Sequence, residues 1–235
     1  GIAAELCGLA RDEFLQAGGR ALFLGTGNPA AARIYERLGW RPVPGTSVMA
    51  LIATDENTPE TFLSRHFRPG GDTVVEAMTA AARIPMIPLL VSPHPSVMLD
   101  ANVGMVSTTF AVQRSCMGLY PRYEALIEGG RGAAFCACAE NGRLVGLATA
   151  RMGDSGRCAV DVFTHRQWDD AWRELAQACL EWGADHGVTR FVADVVADDV
   201  GKQRAFERLD FEVDGPCRPF VADDQSFAAV RLERR

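Results

Sequence analysis

Apolar residues recur at helical spacing from the start of the chain. Ile2, Leu6, Leu9, Ala10 and Phe14 predict a helix over 2–17, stopped by Gly18-Gly19. The run "RALFL" (20–24) is short and nearly all apolar, as expected of a strand covered on both faces. "GTGN" makes a turn, and Pro29 can open a helix because its missing N–H would have no partner there. That helix should run to Leu38 and end at Gly39, with strands following near 40–44 and 47–53. "TDENTPE" (54–60) is polar and reads as a linker.

A fresh unit begins near Phe67. "TVVEA" (73–77) suits a strand, and 79–90 a helix interrupted at Pro85 and Pro88. Residues 109–128 read as a helix. "AAFCACA" and "LVGLATA", separated by "ENGR", give a hairpin with an Asn-Gly turn, and "CAVDVFT" (158–164) adds a strand. Trp168, Trp172, Leu175, Cys179 and Trp182 form one apolar helical stripe. "RFVADVV", a helix over 201–209 and one or two C-terminal strands complete the pattern.

The end of this unit repeats the start of the chain. Glu5-Leu6 aligns with Glu174-Leu175 and Gly18 with Gly187; Arg33, Glu36, Arg37 and Leu38 align with Arg204, Glu207, Arg208 and Leu209. The same order of helix, glycine, strand, turn and helix is hard to obtain by chance. At the centre of the repeat, Tyr35 corresponds to Phe206 and Gly39 to Asp210.

Composition narrows the function classes. The 235 residues are 48% hydrophobic and 23% charged, an ordinary globular balance. A net charge of −6 gives no reason to expect nucleic acid or an anionic membrane as partner. No apolar run is long enough to span a bilayer and no signal peptide opens the chain, so a cytoplasmic location is expected. Seven irregularly spaced cysteines fit reduced thiols; Cys136 and Cys138 should share one strand face, but without a second Cys/His pair nearby no metal site is expected. Of 24 basic residues only Lys202 is a lysine, read here as base composition alone.

"GNPAAARIYERLGW" (27–40) resembles the C-terminal signature of the GNAT superfamily of acyl-CoA-dependent N-acyltransferases, and "GIAAEL" (1–6) the end of that family's pyrophosphate loop. The resemblance implies an α/β fold with a mixed central sheet flanked by helices, present as the C-terminal half of a first domain (1–53), a linker (54–66) and a complete second domain (67–235). The missing front half of the first domain suggests a fragment or a processed product, and its exposed edges suggest either pairing with another chain, a homo-oligomer being one form of this, or partial unfolding. By the same resemblance, acetyl-CoA is the co-substrate and a small-molecule or peptide amine the acceptor. Gly1, Ile2, Ala3 and Ala4 would present backbone N–H groups to the diphosphate at a helix N-terminus. Asn28 and Ala31 would touch the donor, and Tyr35 would protonate the departing thiolate as general acid. Bland readings stand beside these: a plain helix start, a turn asparagine, and an aromatic packed on the sheet.

The second copy departs from the pattern. Phe206 has no proton to give, and Asp170 and Trp172 stand opposite Gly1 and Ala3. Like charges a few ångströms from a diphosphate cost on the order of 1–4 kcal/mol. This copy is therefore expected to keep the fold without ordinary CoA binding; His165 and Arg166 read either as polar loop residues or as partial compensation for the carboxylates, and Asp161 is a candidate base for it. Two other classes remain: a non-catalytic scaffold or acyl-CoA sensor, and an NAD-binding unit. The second rests on "GTGNPA" (25–30), which fits Gly-x-Gly-x-x-Ala but lacks an acidic residue ending the next strand.

Overall fold

The computed structural model describes residues 2–111, 118–153 and 156–235. It divides into two compact units, one built on residues 1–68 and the other on 69–111 and 119–235.

The first unit runs α1 (Ile2–Gln16), β1 (Ala21–Gly25), α2 (Pro29–Arg37), β2 (Arg41–Pro42), β3 (Val48–Ile52) and α3 (Pro59–His66). Its sheet has the order β1-β3-β2, with β3 antiparallel to both neighbours. Period-two alternation divides the apolar residues of β1 between two faces. Leu22 and Leu24 pack with Tyr35, Trp40, Met49 and Leu51, whereas the Phe23 ring lies 6.5 Å from that of Phe62 on α3. Residues 59–66, expected within a linker, thus form a helix. Thr58 caps it by accepting from the Thr61 N–H, and Phe62 and Leu63 are buried.

The second unit contains β4 (Thr73–Ala77), α4 (Met86–Val91), β5 (Met98–Asp100), β6 (Met105–Val106), α5 (Tyr120–Glu128), β7 (Gly132–Ala139), β8 (Arg143–Met152), β9 (Arg157–Thr164), α6 (Ala171–Asp185), β10 (Arg190–Val196), α7 (Val200–Glu207), β11 (Glu212–Ala222) and β12 (Gln225–Arg234). Seven strands form one mixed sheet, ordered β11-β12-β10-β9-β8-β7-β4. Every pairing is antiparallel except β9 with β10, which α6 joins as a crossover. Here β11-β12-β10 has the strand order and directions that β2-β3-β1 has in the first unit.

Three local expectations change. The helix expected over 109–128 is helical at 120–128; 112–117 lie outside the described residues, and Pro121 sits in the first turn, where a missing N–H costs nothing. The helix expected over 79–90 becomes a 3₁₀ turn, Ala80–Arg83, followed by α4, with Pro85 as the break. Pro88 does not interrupt α4, because it falls within the first turn. Between 97 and 107 the chain forms the short β5–β6 hairpin, which alternation alone did not reveal. The β7–β8 connection is a three-residue loop, Glu140–Gly142, with Gly142 at φ +70°.

Candidate functional site

β9 and β10 are hydrogen-bonded only from Arg190↔Arg157 to Val192↔Ala159, yet they continue to Thr164 and Val196. Beyond that register their ends have no partner in each other. A cavity of about 620 Å³ opens beside them, walled by the end of β9, the start of α6, one face of α7 and residues 94–99. Ligands of open α/β sheets sit in such places, outside the carboxyl ends of parallel strands and next to a helix N-terminus.

The lining is of mixed charge. Arg166, Arg173, Lys202 and Arg208 supply four cations; Asp169, Asp170 and Asp199 supply three carboxylates. Asp170 occupies the cap position of α6 without accepting a capping hydrogen bond, whereas Asp199 Oδ1 accepts from the Lys202 N–H at 3.0 Å and caps α7. Arg166 faces the cavity; His165 is buried, its Nδ1 3.4 Å from the Gln167 N–H. Trp172 meets Phe206 edge-on at 5.0 Å, and Phe206 meets Phe211 at 5.1 Å, an aromatic stack joining α6 to α7.

Behind the cavity lies a buried polar cluster. Asp161 of β9 forms an ion pair with Lys202 of α7, whose Nζ also donates to the Leu99 carbonyl at 3.0 Å. Asp161 Oδ2 accepts from the Ala101 N–H at 2.6 Å and Oδ1 from the Val162 N–H at 2.7 Å. Next to it, Asp100 accepts from Thr149 Oγ1 at 2.8 Å and from the Asn102 N–H at 3.0 Å. Asn102 Nδ2 in turn donates to the Ala159 carbonyl at 3.0 Å. Burial, reinforced by the charge of Asp161, pushes the Asp100 carboxyl up to about 7. Burial also raises Asp161, against the opposing pull of Lys202. These contacts fasten the β5–β6 segment against β9.

Of the residues picked out by the sequence, Asp161 and Arg166 belong to this region, whereas those assigned to the donor lie in the first unit. Gly1 lies outside the described residues. Ile2, Ala3 and Ala4 begin α1, with Ile2 exposed. Asn28, Ala31 and Tyr35 fall on one stripe of α2. Asn28 Oδ1 accepts from the Ala30 N–H at 2.9 Å, so it acts as the helix cap, as Asp199 does for α7. Tyr35 is half-buried against Trp40, ring centroids 5.9 Å apart, while Phe206 is completely buried. Sequence reasoning missed Asp100, Asn102, Thr149 and the place of Lys202. The one available signal was that Lys202 is the sole lysine.

Residues 105–211 match the profile of the acetyltransferase (GNAT) family. That stretch, somewhat under half of the chain, is thus similar to a family of enzymes that use acetyl-CoA and act on small-molecule or peptide amines. The match begins in β6 and ends at Phe211, so it includes the parts of the cavity wall supplied by β9, α6 and α7 but not residues 94–99. No curated protein sequence matches the chain. Among solved structures, a candidate acetyltransferase from Acinetobacter baylyi is similar at TM-score 0.55 and 15% identity, over 71% of this chain and 94% of that one. An N-acetyltransferase from Staphylococcus aureus is similar at 0.53 and 11%, over 70% and 98%. Spermidine/spermine N-acetyltransferase SpeG from Vibrio cholerae is similar at 0.51 and 12%, over 69% and 92%. These likenesses concern the fold: a mixed sheet flanked by helices. No described helix is long and apolar enough to cross a membrane.

Proposed function

We propose that this chain is an acetyl-CoA-dependent N-acetyltransferase that holds its donor in the cleft of the second unit. The parting of β9 and β10 carries this reading. An extended thioester arm with amide groups can pair with strand backbone that no neighbouring strand uses. Arg166, Arg173 and Arg208 are placed along the same cavity, where guanidinium groups can bind phosphate oxygens. They offset the three carboxylates of the lining, among them Asp170, which in sequence counts against donor binding.

Transfer requires an amine to attack the thioester carbonyl and a thiolate to leave. Phe206 cannot protonate that thiolate. Lys202, which lines the cavity one turn before Phe206 on α7, supplies a proton and a compensating charge, and Asp161 holds it in place. The test is calorimetric titration of the full chain with acetyl-CoA, alongside thiol release with a panel of small amines and peptides. Arg173→Glu with Arg208→Glu should weaken donor binding by about tenfold or more, equivalent to about 1.4 kcal/mol. Unchanged binding would sink this placement.

A second reading puts the general acid at Tyr35 and the donor at Gly1–Ala4, Asn28 and Ala31, leaving the second unit non-catalytic. Its support is the partial exposure of Tyr35, in contrast to the complete burial of its counterpart Phe206. Tyr35→Phe separates the two readings. Loss of turnover with donor binding intact favours Tyr35; full turnover favours the second-unit cleft.

A further inference from the structure

Far from the ends of β9 and β10, the β4 edge of the large sheet brings two thiols to one carboxylate. Glu76 of β4 stands directly opposite Cys136 of β7, and Val74 opposite Cys138, so Cys138 is the diagonal neighbour of Glu76. Side chains two apart on a strand share a face but are normally separated by about 6–7 Å of backbone rise. Here the β7–β8 register shifts between Ala137 and Cys138, and such bulges re-aim side chains. The Cys138 sulfur lies 3.6 Å from Glu76 Oε1 and the Cys136 sulfur 4.0 Å from the same oxygen. All three donor atoms fall within 4.8 Å of one another.

We propose that Glu76, Cys136 and Cys138 form a binding site for one zinc ion, with water as the fourth ligand, which ties edge strand β4 to β7. Zinc–sulfur bonds of about 2.3 Å and a zinc–oxygen bond of about 2.0 Å, set tetrahedrally, place sulfur and oxygen about 3.5 Å apart. The observed separations need only small adjustments to reach that. Two thiolates favour a soft or borderline cation over magnesium or calcium, and the carboxylate suits zinc. The exposed position of Glu76 leaves the fourth place open to solvent. Binding displaces the thiol protons to solvent. No second Cys/His pair lies near the two cysteines in sequence; the third ligand is a glutamate some sixty residues earlier, on the neighbouring strand.

The test uses the full chain, stripped with a chelator and titrated with zinc, and with cobalt as its spectroscopic stand-in. The expected result is one equivalent bound, a thiolate-to-cobalt charge-transfer band, and a higher Tm with zinc. Cys138→Ser should abolish the band, and Glu76→Gln should weaken binding. A band that survives in the Cys136→Ser, Cys138→Ser double variant overturns the proposal, as does a chain that binds no zinc. If those variants fail to fold, zinc should protect Cys136 and Cys138 of the unaltered chain from alkylation, relative to Cys7 and Cys217. Equal labelling with and without zinc counts against the site.

Discussion

Trp172 touches Phe206 edge-on, with the ring centroids 5.0 Å apart, where the first turn of α6 faces α7. The residue at the centre of the repeated motif is therefore part of a packed aromatic stack in the second unit. Its counterpart Tyr35 instead lies half-buried beside Trp40.

That difference predicts opposite tolerances. Phe206→Tyr would place a hydroxyl in a fully buried position and should cost about 1–3 kcal/mol if the hydroxyl finds no partner. Tyr35→Phe should change stability by no more than about 0.5 kcal/mol, as for surface substitutions generally. Urea unfolding of both variants checks this. Equal losses would show that the two sites are not distinguished by burial.

The Asp161–Lys202 pair should behave as a buried ion pair. Lys202→Met leaves Asp161 without its counter-charge and should cost about 3–5 kcal/mol. Asp161→Asn together with Lys202→Met should recover most of that loss, because neither charge is then stranded. A double variant whose loss equals the sum of the single losses would count against strong coupling.

Asp100 makes stability depend on pH in a definite direction. Its carboxyl is raised by burial from an ordinary 3.8 to about 7, so between those values the folded chain holds a proton that the unfolded chain has released. Stability from this group is complete below the lower value and is lost as pH rises through the upper one. Asp161, raised in the same direction, adds to the trend. The fall in Tm between pH 5 and about pH 8 should flatten in Asp100→Asn. A wild-type Tm that rises over this range would contradict the assignment.

Gly39 and Asp210 occupy the same left-handed turn after equivalent helices, at φ +93° and +63°. In each, the following N–H returns to the aromatic carbonyl: Trp40 to Tyr35 at 3.0 Å and Phe211 to Phe206 at 3.3 Å. Gly39→Ala should cost about 1 kcal/mol, since a Cβ is disfavoured there. Asp210→Gly should be neutral or slightly stabilising, because aspartate tolerates this region better than most residues but less well than glycine. Urea midpoints of both variants test the pair.

Periodicity and punctuation were enough to place α1, α2, α6 and α7 and most strands of both sheets, because each carries an apolar stripe or alternation closed by glycine or proline. The C-terminal α-β-α-β-β pattern was visible as a repeat for the same reason: its cap residues and packing positions are local. The candidate site was less legible. Thr149 meets Asp100, Asn102 meets the Ala159 carbonyl, and Lys202 meets Asp161 and the Leu99 carbonyl, across forty to about a hundred residues of sequence. No spacing rule reports such contacts. The cleft itself arises from where two strands stop pairing, which is a property of register, and the two strands' own sequences look continuous.

The sole lysine of the chain is 9% exposed at its side chain and engaged by Asp161. A protein that handles an activated acetyl thioester risks being acylated by it, and exposed lysine amines are the usual victims. Here every other basic side chain that stays charged is arginine, whose guanidinium is a poor nucleophile because it does not give up its proton near neutral pH. The chain therefore offers such a reagent no freely exposed lysine amine, and among the described residues the partly exposed thiols of Cys7, Cys138 and Cys217 are left as its soft nucleophiles.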